Sequence, residues 1–477
     1  MLLSLLTGLS LTVTASLPTT SLETPELRGP REAVHSVAPG GSARRGAASG
    51  SSLADYGDRE EFGVGGTRER IGTGYSVTTT PVPGKLGLYD LRLTGTGTGW
   101  VEKFLLQVPN VSTDVDVPLL VGFHQYSVSH NAIRIQTEFL DEAISRGWYA
   151  VLPLGATDIN FSSLDSQINT EFVLRWVMKR YNVDRNRIYG VGFSMGGGNV
   201  LNYAARHLDP ARGMFAAIVN HTGSVSVRDV YLSDPGVRWA LDILFEGTPD
   251  QQTFSYQRSS VIDLDPVTRA IVPNVNHATN LVHIPMQTWV GTDDPLTYLR
   301  EQNLILASHL DSIGANHTVV EVPTTGHSWD TLDETAVCDF LAQHTLTLPT
   351  SGSILADRDG TYFHMNVTQR VTDSFTRFRW VAEPENNKFS VLSAVNLQQL
   401  VVHSVENGLD PTQPVRVPVL AQDGQGVEVI LTGFSSAPVA VTRDGAPESA
   451  WNYDASSSTL RLIEPAGGFH VWDVAPN

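Results

Sequence analysis

Apolar runs and amphipathic stretches alternate along residues 117–344, and this alternation sets the expected architecture. Val117-Pro118-Leu119-Leu120-Val121-Gly122-Phe123 has no polar face, as expected of a strand buried on both sides. Ala132 to Arg146 then places Ile133, Thr137, Phe139, Leu140 and Ile144 at helical spacing before Gly147. Trp148 to Leu154 reads as the next buried strand. Asn169 to Tyr181 carries Phe172, Val173, Trp176, Val177 and Tyr181 on one helical face, and it leads into a strand over Arg187 to Phe193. Helix Met195 to Arg206 and strand Phe215 to Asn220 follow. After a gap come strand Ile284 to Val290, helix Leu296 to Ile313, strand Thr318 to Glu321 and helix Leu332 to His344. Strand and helix in regular alternation predict a mostly parallel sheet with helices on both faces.

Three stretches depart from that pattern. Tyr89 to Leu93 and Glu102 to Val108 alternate apolar and polar residues, as a half-exposed antiparallel pair does. Residues 224–283 interrupt the alternation with prolines and aromatics (Trp239, Phe254, Tyr256), just after a strand whose carboxyl end faces the helix start at Met195. An insertion of that size at that place is expected to form a cap over a site. Within it, Asp263-Leu264-Asp265-Pro266 reads as a turn with capping carboxylates, because no further metal-ligand spacing accompanies the pair. Beyond Leu348, residues 349–353 (Pro-Thr-Ser-Gly-Ser) read as a linker. Residues 354–477 then break into short strands: Tyr362 to Met365, Phe378 to Val381, Phe389 to Leu392, Leu400 to His403, Val427 to Leu431, Val439 to Val441, Leu460 to Ile463 and Phe469 to Trp472. Such spacing predicts an all-β, sandwich-like accessory domain.

The amino-terminal residues follow neither pattern. Leu2 to Val13 is apolar, too short for the ~20 residues that span a bilayer, and Val13-Thr14-Ala15 has the small residues of a cleavage site. Residues 1–15 are therefore expected to be a signal peptide and the protein secreted or periplasmic, although no basic residue precedes the apolar run. Residues 16–72, rich in Gly, Ala, Ser, Pro and Arg, are expected to be a flexible leader, and compact structure is expected from residue 73. With 50 acidic against 32 basic residues the net charge is -18, which opposes general affinity for nucleic acid. The single cysteine, Cys338, rules out an intrachain disulfide and lies in a helical pattern as a buried, inert thiol. No cofactor motif and no metal-ligand set is found.

The candidate chemistry lies at Gly192-Phe193-Ser194-Met195-Gly196. This Gly-x-Ser-x-Gly sits between a predicted strand and a predicted helix, so Ser194 is the candidate nucleophile, lifted above the sheet with the helix amino terminus behind it. Gly433-Phe434-Ser435-Ser436-Ala437 looks similar, but Pro438 and strand-like residues follow it, so it is set aside. Serine needs a base and the base needs an orienting carboxylate. His327, in the loop after the last strand, is the candidate base, with His283, His317 and His221 as fallbacks. Asp294, after the strand ending at Val290, is the candidate acid, with Asp293 a close rival. The candidate oxyanion donors are the backbone amides of Met195 and of Tyr126, which follows the strand ending at Phe123.

The run from Leu119 to His344 resembles the α/β-hydrolases. Asp184-Arg185-Asn186-Arg187-Ile188-Tyr189 leading into Gly192 to Gly197 is similar to secreted esterases of the polyhydroxyalkanoate depolymerase and feruloyl esterase type. Ser-Met-Gly-Gly-Gly also resembles the elbow of cutinase-like polyester hydrolases. In those a His-Gly or Pro-Gly pair precedes the oxyanion residue, and here the pair is His124-Gln125. The resemblance implies an α/β-hydrolase fold for that run; the cap insertion and the all-β domain are read from the pattern alone, and the resemblance does not cover the C-terminal region. It also implies a serine esterase acting on carboxylic esters, with polyester or plant-linked esters among the candidates. Two other readings share parts of the pattern: a serine peptidase of the prolyl oligopeptidase type, and a catalytically idle binding protein built on the β-rich region. Because triad, oxyanion donors and cap all precede residue 349, the β-rich region is expected to be dispensable for small substrates. Trp380, Trp451 and Trp472 are candidates for holding a polymer or, alternatively, core residues.

Overall fold

The computed structural model describes residues 52–53, 74–110, 114–464 and 466–477. The signal peptide expected at 1–15 and, apart from 52–53, the leader expected at 16–72 lie outside them. A ten-stranded sheet comprises β1 (Ser52–Leu53), β2 (Tyr75–Pro81), β3 (Leu88–Gly95), β4 (Val101–Gln107), β5 (Val117–Phe123), β6 (Tyr149–Pro153), β7 (Val183–Phe193), β8 (Ala217–His221), β9 (Met286–Gly291) and β10 (His317–Val322). Their spatial order is β1-β2-β3-β4-β6-β5-β7-β8-β9-β10. The strands through β4 pair antiparallel, and β4 meets β6 antiparallel; from β6 to β10 every pairing is parallel. Strand β5 shows why its sequence reads as unbroken apolar. Leu119, Val121 and Phe123 enter the core on one face, while Leu120 enters the core on the other.

Helices α1 (Ala132–Gln136) and α2 (Phe139–Ser145) follow β5, α3 (Leu164–Arg180) follows β6 and α4 (Met195–Arg206) follows β7. The cap contributes α5 (Val227–Ser233), α6 (Arg238–Leu244) and α7 (Thr253–Arg258), and α8 (Thr297–Ser312) and α9 (Glu334–Ala342) complete the set. Side chains of α3, α4 and α8 pack into one core and those of α2 and α9 into the other, Cys338 among them. Burial pushes that thiol up to about 12, which keeps it inert. The order of strands, with helices on both faces, is the α/β-hydrolase fold.

Two local departures have physical causes. The single helix expected over Ala132 to Arg146 is two, because Thr137 is extended (φ -140°, ψ 165°) and its hydroxyl donates to the Ile133 carbonyl at 2.7 Å. Helix α3 starts five residues before the expected Asn169, capped by Ser163, because its first turns are buried through polar Ser166, Gln167 and Thr170 and show no apolar periodicity. In the cap, Asp265 accepts from the amides of Val267 (3.0 Å) and Thr268 (2.7 Å), a side-chain-stabilised turn as its sequence suggests.

The β-rich region forms a seven-stranded and a six-stranded sheet that share one apolar core, a sandwich. Tyr362 to Met365, expected as one strand, is the corner of a hairpin between β12 (Gly360–Tyr362) and β13 (Met365–Gln369), with Phe363 left-handed at φ 55°. Trp380 and Trp472 are core residues, 1% and 0% exposed, and cannot grip a polymer. Residues 351–353 belong to β11 (Ser351–Ala356), which is docked on the hydrolase fold. Asn280 donates to the carbonyls of Ala205 (2.8 Å) and Leu355 (2.9 Å) and accepts from the Leu355 amide. Buried Asp357 binds Arg206, the last residue of α4, at 2.6 Å and Arg258 of the cap at 2.7 Å. Burial alone would raise the Asp357 carboxyl, yet the guanidiniums of Arg206, Arg258 and Arg358 hold it well below the usual range. Leu208 and Met214, which follow α4, lie in the core of the sandwich, and Phe363 stands edge-on to His283.

This docking reverses the expectation that the β-rich region is dispensable. Asp357→Ala leaves Arg206 charged and buried, and is expected to cost about 3–5 kcal/mol in denaturant unfolding. A chain ending after Thr350 is expected to be insoluble or unfolded. A truncated protein that unfolds cooperatively with the stability of the full chain would contradict this.

Candidate active site

Ser194 caps α4 in a left-handed backbone conformation, φ 58° and ψ -120°, that a side-chain-bearing residue adopts only under constraint. The constraint comes from both sides. Its amide donates to the His221 carbonyl at 2.9 Å, and its carbonyl accepts from Gly198 (3.2 Å) and Ser224 (3.0 Å). A Cβ on residue 192 would overlap the Gly196 carbonyl, and one on residue 196 would overlap the Phe123 carbonyl. The two motif glycines are therefore what allows α4 to start directly against the ends of β5 and β7.

His327 Nε2 lies 2.9 Å from Ser194 Oγ, and His327 Nδ1 lies 2.8 Å from Asp294 Oδ2. The Asp294 carboxylate is fully enclosed and its other oxygen accepts from the Leu296 amide at 2.8 Å. Asp293 is exposed and turns away; its Oδ1 takes only the neighbouring Thr292 hydroxyl. What separates the two aspartates is a crossing of loops. The Asp293 amide donates to the Thr325 carbonyl at 3.0 Å, and Gly291 lies so close to Thr325 and Gly326 that a Cβ would collide there. That crossing turns Asp294 inward beneath the imidazole. Of the fallback histidines, His317 contacts Thr288 Oγ1 and His283 packs on Phe363; His221 lies beside the site in another role.

The amides of Met195, Gly196 and Gly197 precede the first intrahelical bond, Gly198 to Ser194, so the first turn of α4 presents free donors. The Tyr126 amide meets no backbone carbonyl among the described residues. His124, just before it, is locked by contacts of its ring nitrogens to the Gln125 and Leu154 carbonyls at 2.9 Å each.

Beside the site lies an apolar cluster that, apart from Met195 and Tyr126, is built of residues that the sequence motifs do not mark. Phe161, Met195, Val227, Val230, Leu241, Phe245 and Leu299 form one apolar cluster at the start of α4, with Tyr126, Tyr231 and Tyr298 partly buried against it. Phe161 and Ser162 are both left-handed (φ 36° and 55°). Asn199 of α4 holds that bend: its Oδ1 accepts from the amide and hydroxyl of Ser162 (2.7 and 2.8 Å), and its Nδ2 donates to Asn160 Oδ1 (2.8 Å). Upstream, buried Glu102 accepts from the amides of Gly155 and Ala156 and from Asn169 Nδ2. Burial raises its carboxyl to about 6 against the pull of those donors. Gly-Gly-Gly-Asn at the start of a buried helix is the one sequence signal that points to Asn199.

The described fold is similar to a thermostable esterase (17% identity, TM-score 0.37, covering 55% of this chain and 64% of that one). It is similar also to a ferulic acid esterase (18%, 0.38, 56% and 96%) and to an acetyl xylan esterase from Paenibacillus sp. R4 (16%, 0.41, 57% and 88%). No protein-family model and no curated protein sequence matches the chain.

A fluorophosphonate probe reads nucleophile activation without assuming a substrate. Asp294→Asn is expected to slow labelling of Ser194 by ~10²- to 10⁴-fold through the wrong imidazole tautomer, whereas Asp293→Asn is expected to stay within about twofold of the parent. The reverse order would transfer the role to Asp293.

Proposed function

We propose that the protein is a serine hydrolase that cleaves carboxylic esters through an acyl-enzyme on Ser194. The observation that carries this reading is the continuous chain Ser194 Oγ, His327, Asp294, with both links at hydrogen-bond length. As Ser194 Oγ attacks the ester carbonyl carbon, His327 Nε2 takes its proton, and Asp294 stabilises the imidazolium through Nδ1–H. The tetrahedral oxyanion is received by the Met195 and Tyr126 amides. Collapse breaks the bond to the alkoxide, which leaves with the proton from His327. A water, deprotonated by the same imidazole, then attacks the acyl-enzyme, releases the acid and restores Ser194.

The apolar cluster around Met195 favours a neutral, apolar or aromatic acyl group. Tyr126 pairs with Phe161 at 5.7 Å between ring centres, and Tyr298 Oη lies 3.5 Å from Asp234 Oδ2. Burial pushes the Tyr126 phenol up, and the carboxylates of Asp234 and Asp158 add to it. With acidic groups at the rim, substrates bearing a free carboxylate are disfavoured. Neutral aromatic or aliphatic esters, those within polyesters or plant polymers included, are the class proposed.

Ser194→Ala is expected to lower kcat on p-nitrophenyl butyrate by ~10⁴-fold or more while leaving the melting temperature almost unchanged. Retention of more than a few per cent of the parent rate would reject Ser194 as nucleophile. The hemisuccinate ester is expected to show a kcat/KM several-fold below that of the butyrate, and Asp234→Asn to narrow the gap. Faster cleavage of aminoacyl anilides than of esters would favour a peptidase.

A further inference from the structure

His221 is the last residue of β8, is 0% exposed, and reaches three strand ends at once. Its carbonyl accepts the Ser194 amide. Its ring Nε2 lies 2.8 Å from the carbonyl of Ser328, the residue after His327. Its Nδ1 lies 3.1 Å from the Trp289 carbonyl in β9 and 3.3 Å from the Thr222 hydroxyl. The ring also stacks on Phe193 (4.4 Å, 16° between planes), and Phe193 in turn lies 4.5 Å from the His327 ring.

A neutral imidazole has one N–H, and burial keeps this one neutral by lowering it to about 4. Either tautomer leaves one ring nitrogen facing a carbonyl through its lone pair, and the shorter contact, Nε2 to Ser328 at 2.8 Å against Nδ1 to Trp289 at 3.1 Å, takes the proton. Nε2–H then donates to the Ser328 carbonyl, and the Thr222 hydroxyl lies 3.3 Å from both Nδ1 and the Trp289 carbonyl, which already accepts the Thr222 amide at 2.9 Å, so the hydroxyl proton is free to turn to Nδ1. The other tautomer would put the proton on the longer contact, to Trp289, and set the Nε2 lone pair against the Ser328 oxygen at 2.8 Å. Thr222 itself is buried and left-handed at φ 41°, an outlier for a β-branched residue. That bend is what carries its hydroxyl to Nδ1.

We propose that His221 is a positioning residue for the Ser194–His327 pair. As the Nε2–H tautomer, with the Thr222 hydroxyl facing Nδ1, it holds the Ser328 carbonyl and so sets the His327 ring at the height where it meets Ser194 Oγ. The assignment rests on the proposed role of Ser194, but its test does not need the natural substrate.

The second-order rate of Ser194 phosphonylation by a fluorophosphonate, normalised to the fraction of sites finally labelled, reads the pair directly. Turnover of p-nitrophenyl butyrate per labelled site gives kcat and KM. His221→Phe keeps the stack on Phe193 and loses the donor; the normalised labelling rate and kcat are expected to fall ~10- to 10²-fold with KM unchanged, as a displacement of about 1 Å would cause. His221→Gln, whose amide nitrogen can reach the Ser328 carbonyl, is expected to recover most of the loss. A His221→Phe rate within threefold of the parent, or a His221→Gln rate no better than His221→Phe, would overturn the proposal. If His221→Phe does not fold, the Thr222 pair decides: Thr222→Ser keeps the hydroxyl and is expected to restore the rate that Thr222→Val loses, and equal rates for the two would overturn it. Absence of ester turnover in the parent enzyme alongside normal labelling would count against the esterase reading and leave this one standing.

Discussion

The left-handed backbone at Ser194 is the constraint on which the rest depends. Such a conformation costs on the order of 1–3 kcal/mol and persists only where neighbours overdetermine it. Here they do, through its amide on the His221 carbonyl, its own carbonyl on two amides, and a helix start pressed against the ends of β5 and β7. The same strain lifts Oγ clear of the sheet to where His327 stands at 2.9 Å. The ends of β8, β9 and β10 then supply the His221 carbonyl, the Asp294 loop and the His327 loop, so the site is an arrangement of strand ends around one strained residue.

Helix α4 carries that arrangement into the rest of the molecule. Every one of its residues is buried. Its first turn offers free amides to the site, Asn199 in its middle holds the bend at Phe161, and Arg206 at its end is neutralised by Asp357 of the β sandwich. The sandwich therefore bears on the site by fixing the far end of the helix that begins at Ser194. That is why a region that contributes none of Ser194, His327 and Asp294 belongs to the same folded unit.

The sequence made the sheet, its helices, Ser194 and His327 legible because each rests on local pattern: apolar runs, helical spacing, and glycines where only a missing Cβ fits. Asp294 was separated only narrowly from its rival Asp293 because the two are adjacent, and the choice is made by a contact between the loops at Gly291 and Thr325, 34 positions apart. Asn160, Asn199, Gln302 and Arg206 carry no mark in the linear pattern, yet they are buried and partnered. Asp357 is likewise unmarked by any local pattern, and its two arginine partners lie 99 and 151 positions away. Long-range pairing of buried polar groups leaves no periodicity, and that is where the reading of the sequence stopped short.

The central claim is that Ser194 forms a covalent acyl intermediate, and trapping it is the most direct measurement. After a brief incubation with p-nitrophenyl butyrate and an acid quench, intact-mass analysis should show one added butyryl group per chain. Peptide mapping should place it on Ser194, and Ser194→Ala should show none. An adduct on another residue, or rapid release of p-nitrophenol that persists in Ser194→Ala, would contradict the account.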